Sequence, residues 1–488
     1  MGYIVKLNKS MITCAVLMAL GLNQTAFANE DTKQENEAVT IQSDIIANAQ
    51  GNVIILSQDS RSGVGEGNET SIFQEGDVNG TDFTVIGDGN IVEIEQVGAE
   101  NVAIGTYTGN NNLLSVLQDG EINETSNNVT GNENIVDVSQ IGVGFLGIGS
   151  RAVNDVVGDG NEIIVDQGDG GHWAINGELV GSNNNVEFVQ DGTWNETYFN
   201  SVTGDGNDLK SVQDGYWNVA TIDVIAGNDN ELDIEQEGDR NRVTIAAIEG
   251  DDNDVAIDQE GDSNSAVSNL FTGNDNSVDV AQNGADNLAT FEVIGDDNEF
   301  NFTQSGDGNI SYMGTLGLNN EYTSLQVGDL NESHIVNFNG NDNDINVTQT
   351  GSENVLVLEA SADDNSLTTS DNDIDVLQNG EANDAVVVLS TILDSNANTI
   401  DIVQTGDVNS LDILVEGSNH QIDIMQDGED NLITGADGGS MLIGGANIAF
   451  NISQVGNGNI VEGSFISDSG SVSVTQMGDW NTAVIVQQ

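Results

Sequence analysis

The stretch NSVDVAQNGADN, residues 276–287, is repeated almost verbatim along the chain. One period earlier stands NDVAIDQEGDSN (253–264), and one period later NEFNFTQSGDGN (298–309). All three read Asn-x5-Gln-x-Gly-x-x-Asn. Full copies also start at Asn68, Asn90, Asn112, Asn184, Asn207, Asn230, Asn320, Asn343, Asn372 and Asn398. A catalytic site is written once. A motif recurring every 22 or 23 residues is architecture.

Each period has two halves. After Asn287 comes LATFEVIGDDN, which closes on a second Gly-x-x-Asn at Gly295 and Asn298. The unit is therefore strand, turn, strand, turn. Within the first strand the alternation is strict. Asn253, Val255, Ile257 and Gln259 share one face, and Asp254, Ala256 and Asp258 share the other. A period of two means strand. Glycines such as Gly238, Gly261, Gly284 and Gly306, with the Asn that follows, mark the turns, because Gly and Asn tolerate left-handed backbone.

A unit this short cannot bury its own apolar face, but stacking coil on coil can. The reading is an all-β protein, a two-sheet β-solenoid of strand-turn-strand coils stacked parallel and in register. About nineteen Gln-anchored coils at roughly 4.8 Å each give a rod on the order of 90 Å long. Val, Ile, Leu and Phe fill a thin core. The inward amides then need partners, because a buried polar group without a hydrogen bond is costly. An amide both donates and accepts, so identical amides in register can bond from coil to coil. The predicted ladder anchors are Asn230 with Gln236, Asn253 with Gln259, Asn276 with Gln282, Asn298 with Gln304, and Asn343 with Gln349.

Composition supports strands paired on both sides. The chain of 488 residues has 58 Gly and no Pro, and proline is excluded from central strands. Acidic residues number 81 against 8 basic, for a formal charge of −73. That balance argues against nucleic acid and anionic membranes. Lys6 and Lys9, the apolar run Met11–Leu22 and the AFA at 26–28 read as a secretory signal peptide over residues 1–28. Cleavage there removes Cys14, the only cysteine. No later apolar run is long enough to span a membrane. Residues 29–51 read as a polar N-terminal segment, and residues 52–488 as the repeat domain.

The repeats resemble the curlin repeat, approximately Ser-x5-Gln-x-Gly-x-Gly-Asn-x-Ala-x3-Gln. Asn stands here in place of the family's Ser. Ala is kept at Ala103, Ala220, Ala266, Ala289, Ala385 and Ala483, while the family's second Gln is replaced by Val224, Ala247, Leu270 and Val293. The resemblance implies an exported subunit of curli-like amyloid fibres at the cell surface, active in adhesion and biofilm matrix. It implies passage through a curli-type outer-membrane channel, with residues 29–51 where curlins carry their secretion-targeting segment. It also implies self-association, or association with other curlin-type subunits. The last strand, TAVIVQQ (482–488), is apolar with no obvious cap, so it is open to templated strand addition.

Two readings fit the outward acids. They act as charge that delays aggregation, or they bind calcium, with Asp233, Asp254, Asp258 and Asp279 as candidate ligands. Calcium is the one cofactor candidate. Trp194 and Trp217 share a turn position in successive coils, matched later by Trp480. His420 falls where a first-strand Asn belongs. The rhythm breaks after Gln140, after Gly351 and between Gln426 and Gln454, as loops from a coil or as breaks between blocks. No nucleophile–base arrangement or phosphate loop is visible, so the reading is not an enzyme. The alternatives to a fibre subunit are a monomeric calcium-dependent adhesin and a solenoid binding glycan or ice through one flat face.

Overall fold

The structure is a computed structural model that describes residues 37–43, 51–59, 67–143, 148–360, 367–389, 393–435 and 439–487. The segment read as a signal peptide lies outside the described residues. No helix among them is long and apolar enough to cross a membrane. The described chain is β-strand and turn, and its strands stack into two parallel sheets.

The first sheet has 19 strands, one per coil. Its register is set by the motif: Gln259 lies over Gln282, and Gln282 over Gln304. The burial pattern of Asp254–Asp262 alternates exposed and buried along the strand, as period two demands. The sheet starts earlier than the motif. Glu37–Ser43 pairs with Glu69–Asp77, setting Gln42 beside Gln74, so the solenoid's first strand lies inside the segment read as polar.

The second sheet stacks the other half of each coil, from Val53–Asp59 to Thr482–Gln487. It is a linear stack. Some coils carry two short strands at one level, so Glu196–Phe199 and Val202–Thr203 both pair with the single strand Trp173–Val180. This explains the two periods. Where the coil has 22 residues, the second strand is continuous, as in Leu288–Ile294. In 23-residue coils the extra residue either interrupts it, as where Val219–Ile222 stops before Ile225–Ala226 and Arg242–Ile245 before Ile248–Glu249, or shifts the register within a longer continuous strand, as in Ser265–Thr272. An extra residue in one strand is a bulge, and it costs the inward pattern nothing on either side.

The three breaks in rhythm are loops, not block boundaries. Gln140 pairs with Gln167, Gln349 with Gln378, and Gln426 with Gln454, so the first sheet runs unbroken past each. One continuous core results. Val255, Ile257, Val278, Val280, Phe300 and Phe302 from the first sheet meet Ala266, Phe271, Ala289, Phe291 and Val293 from the second. Phe291 and Phe302 pack with ring centroids 6.2 Å apart.

Most of the described turns hold two residues at positive φ. Gly284 sits at +123° and Asp286 at +55°. Asn287 does not share this conformation, so the expectation that the turn's Asn is its left-handed residue is corrected. The residue before it, whether Asp286, Asp297, Arg240 or Trp217, takes that role.

Candidate functional site

The chemistry of this chain lies at the boundary between successive coils. Gln282 is buried within its strand, Ser277–Ala285. Its Nε2 donates forward to Gln304 Oε1 at 2.8 Å and sideways to the Ser265 carbonyl at 3.1 Å. Its Oε1 accepts from Gln259 Nε2 at 2.8 Å. The same bond joins Gln236 to Gln259 and Gln326 to Gln349, and it continues unbroken from Gln74 through Gln476.

Asparagine runs the other way. Asn276 Nδ2 donates back to Asn253 Oδ1 at 3.1 Å and forward to the Gly295 carbonyl at 2.9 Å. Its Oδ1 accepts both the backbone N–H and the Nδ2 of Asn298, each at 3.0 Å. Both donors and both lone pairs of the amide are thereby matched. Asn230, Asn253, Asn298 and Asn343 repeat this geometry. Sequence reasoning missed a third column. Asn287, read as a turn residue, is buried and bonds to Asn264 Oδ1 at 3.0 Å and to the Gly306 carbonyl at 2.8 Å. The signal was its inward parity relative to Ala289.

The glycines make the close approach possible. A Cβ on Gly238, Gly261, Gly284 or Gly306 would overlap the carbonyl oxygen of the glycine one coil on. Those carbonyls are the ones the Asn amides bond, as Asn264 Nδ2 bonds Gly284 O at 3.0 Å.

Two histidines stand in for asparagine. His420 occupies the first Asn column and His172 the second. In each, Nδ1 accepts a backbone N–H from the next coil at 3.3 Å, from Ile448 and Asn195 respectively. In each, Nε2 lies 3.1 Å from a carbonyl just upstream, Glu416 and Asp169. This fixes the neutral Nε2–H tautomer. Burial lowers both pKa values, partly opposed at His172 by its backbone bond and by Asp191 and Asp169. A histidine whose folded pKa lies below its unfolded value, near 6.5, contributes stability at higher pH that is lost as pH falls. Stability around coils 172 and 420 should therefore drop as pH goes below about 6.5. In the His172→Asn, His420→Asn double variant this loss should vanish, as read by hydrogen exchange at Asn195 and Ile448.

The four candidate calcium ligands do not meet. Asp233 and Asp279 share a column with Ala256 between them, while Asp254 and Asp258 lie in flanking columns. Asp233 is held by Lys210 Nζ at 3.1 Å. Among the described residues, no three His, Cys, Asp or Glu converge to hold a metal. The outward acids form broken ladders. Glu299, Glu321, Asp344 and Asp373 stack in one run, and Asp375, Asp401 and Asp423 in another. Burial, then the neighbouring carboxylates, push Glu321, Asp344 and Asp401 upward. Asp258 and Asp279 are raised the same way. For a carboxyl with a raised folded pKa, ionisation opposes folding, so these stacks are relieved as pH falls, opposite in sign to the histidines. Asp401→Asn should stabilise by about 0.5 kcal/mol at low salt and by less at high salt, in a chemical denaturation series.

Trp194 and Trp217 both occupy the left-handed turn position, at φ 59° and 60°. Their rings lie 6.5 Å apart edge-on, and Tyr216 stacks on Trp194 at 6.3 Å. Trp480 takes the same turn position near the far end.

A stack of interchangeable coils, bonded through buried amide ladders, is a repeat β-solenoid of structural type. Within it, the family model described as Curlin associated repeat matches four stretches, residues 212–238, 227–261, 273–306 and 325–351, and these carry the curlin-associated repeat. No curated protein matches the chain.

Proposed function

We propose that this chain is a structural, non-catalytic component of extracellular, curli-like fibres that grow by end-to-end strand addition and serve adhesion and biofilm matrix. On this reading it is exported, and it assembles with itself or with other curlin-type subunits after passage through a curli-type outer-membrane channel. The observation that carries the reading is that the same directional Gln bond joins successive coils from Gln74 to Gln476, with Asn amides running the opposite way at most of these boundaries. The forward side of a coil offers a Gln Nε2–H and Asn Oδ1 atoms, and the backward side offers a Gln Oε1 and Asn Nδ2–H groups. The forward side of one copy therefore complements the backward side of another. Two forward sides would set donor against donor. Growth by this chemistry is head to tail and polar.

The last described coil supplies the residues for the test. Gly470–Met477 and Thr482–Gln487 each pair on one side, leaving Val472, Val474, Ala483 and Ile485 only partly buried. Gln476 accepts from Gln454 and bonds the Ile460 carbonyl. Each earlier Gln gives its remaining N–H to the next coil. The test is seeded growth of the full chain with small fractions of a Val474→Asp, Ile485→Asp variant. The variant should add to fibre ends and then stop them, arresting elongation well below equimolar ratio. Growth indifferent to the variant would overturn the reading.

A further inference from the structure

We propose that the first and last described coils carry a junction-specific amide pair in the second sheet: Gln487 of one copy bonds Gln58 of the next, so the end of one chain selects the start of another. This rests on the end-to-end reading above and names what makes that junction specific. One inward register column of the second sheet begins at Gln58, which lies beside Val85, and passes through Tyr107, Val129 and Leu179 to Val293. Toward the other end it runs from Ile443 through Phe465 to Gln487. The named residues between the two glutamines are all buried and hydrophobic. Among the described second-sheet strands, only the first, Val53–Asp59, and the last, Thr482–Gln487, contain a glutamine. An amide in such a column is costly unless it is bonded.

Strand parity places both amides on the core side. Ile54 and Leu56 pack against the core from the face that Gln58 shares, and Ala483 and Ile485 from the face that Gln487 shares. The polarity of the pair is also set. Gln58 Nε2 donates forward to the buried Thr70 Oγ1 of the next coil, so its Oε1 is the acceptor for a group arriving from the backward side. Gln487 is exposed on the forward side, where its Nε2–H is the group to be accepted. A bond from Gln487 to Gln58 of the next copy has the same sense as the bond from Gln454 to Gln476 within the chain. At the same junction Gln42, in register with Gln74, comes level with Gln476, so both sheets continue together. A coil of interior type would set a hydrophobic side chain over Gln487 and bury its amide without a partner. A second copy, presented by its first coil, is therefore the occupant this end fits.

Removing one partner of a buried pair leaves the other unsatisfied, whereas replacing both with hydrophobic side chains is nearly neutral. The measurement is the concentration of free chain in equilibrium with fibre ends, for wild type, Gln58→Val, Gln487→Val and the double variant. Each single variant should raise it about tenfold, because every junction then buries one unpaired amide. The double variant should return to within about threefold of wild type, since Val against Val restores the pattern of the column, and that return also shows that both substitutions leave the chain able to fold. Crossed seeding gives a second readout: fibre ends of Gln487→Val should take up Gln58→Val chains faster than wild-type chains. Single variants that grow as wild type does, or a double variant that carries the sum of the two single losses, overturn the proposal while the end-to-end reading stands. A wild type that forms no fibre overturns both.

Discussion

Gly284→Ala is expected to open the stack locally at a cost of about 3 kcal/mol, from backbone strain and overlap together. Gly284 sits at φ +123°, outside the left-handed well that Asn or Asp can enter, and its Cβ would meet the Gly306 carbonyl. That carbonyl is also the acceptor for Asn287 Nδ2, so relieving the overlap by moving it breaks a rung. Asp286→Gly, two residues on at φ +55°, should by contrast be near neutral, within about 0.5 kcal/mol. Because each coil touches only its neighbours, the defect stays local rather than unfolding the whole rod. Native-state hydrogen exchange should show lost protection over the coils of Gln259, Gln282 and Gln304, with distant coils unchanged. Protection intact in those three would contradict the turn argument.

Gln282→Glu should be worse at neutral pH, by about 3–5 kcal/mol, because it buries an uncompensated charge. The new carboxylate would still accept from Gln259, but it would face Gln304 Oε1 acceptor to acceptor and leave the Ser265 carbonyl without its donor. Gln282→Leu, which also leaves the Gln259 Nε2–H without its acceptor but adds no charge, should cost about 2 kcal/mol. The pH dependence separates the two. Burial raises the folded pKa of the introduced carboxyl, so its penalty is fully developed above that raised value and shrinks as pH falls toward about 4.3. The Glu variant should recover in acid and the Leu variant should not. Chemical denaturation at two pH values reads this directly.

The glutamine column was legible because an inward Gln among Val and Ile has only one economical explanation, a partner of its own kind in the next coil. The second asparagine column was not. Gly-x-x-Asn reads as a turn whichever residue takes the left-handed conformation, and only geometry shows that Asp286 turns while Asn287 bonds inward. The alternation of 22 and 23 residues was visible but unexplained, since a bulge in the smaller second strand leaves the Gln spacing as its one trace. Glu37–Ser43 escaped notice because Asn36 and Gln42 keep the motif's spacing but Asp44 stands where its Gly belongs, although the strand pairs with Glu69–Asp77 in register. How the acids divide between the two outward faces was hidden by composition. A charge of −73 says nothing about which sheet carries it, and the ion pair of Arg151 with Glu124 joins residues that lie in different coils.

The central claim is that one chain's coils continue into the next through the bonds that join coils within a chain. Cryo-electron microscopy of fibres assembled from the full chain tests it most directly. The account predicts an unbroken axial strand spacing of about 4.8 Å across chain boundaries, with a chain-to-chain repeat on the order of 90 Å and all chains pointing one way. Filaments whose chains alternate in direction, or a gap in the strand spacing at each chain boundary, would contradict it.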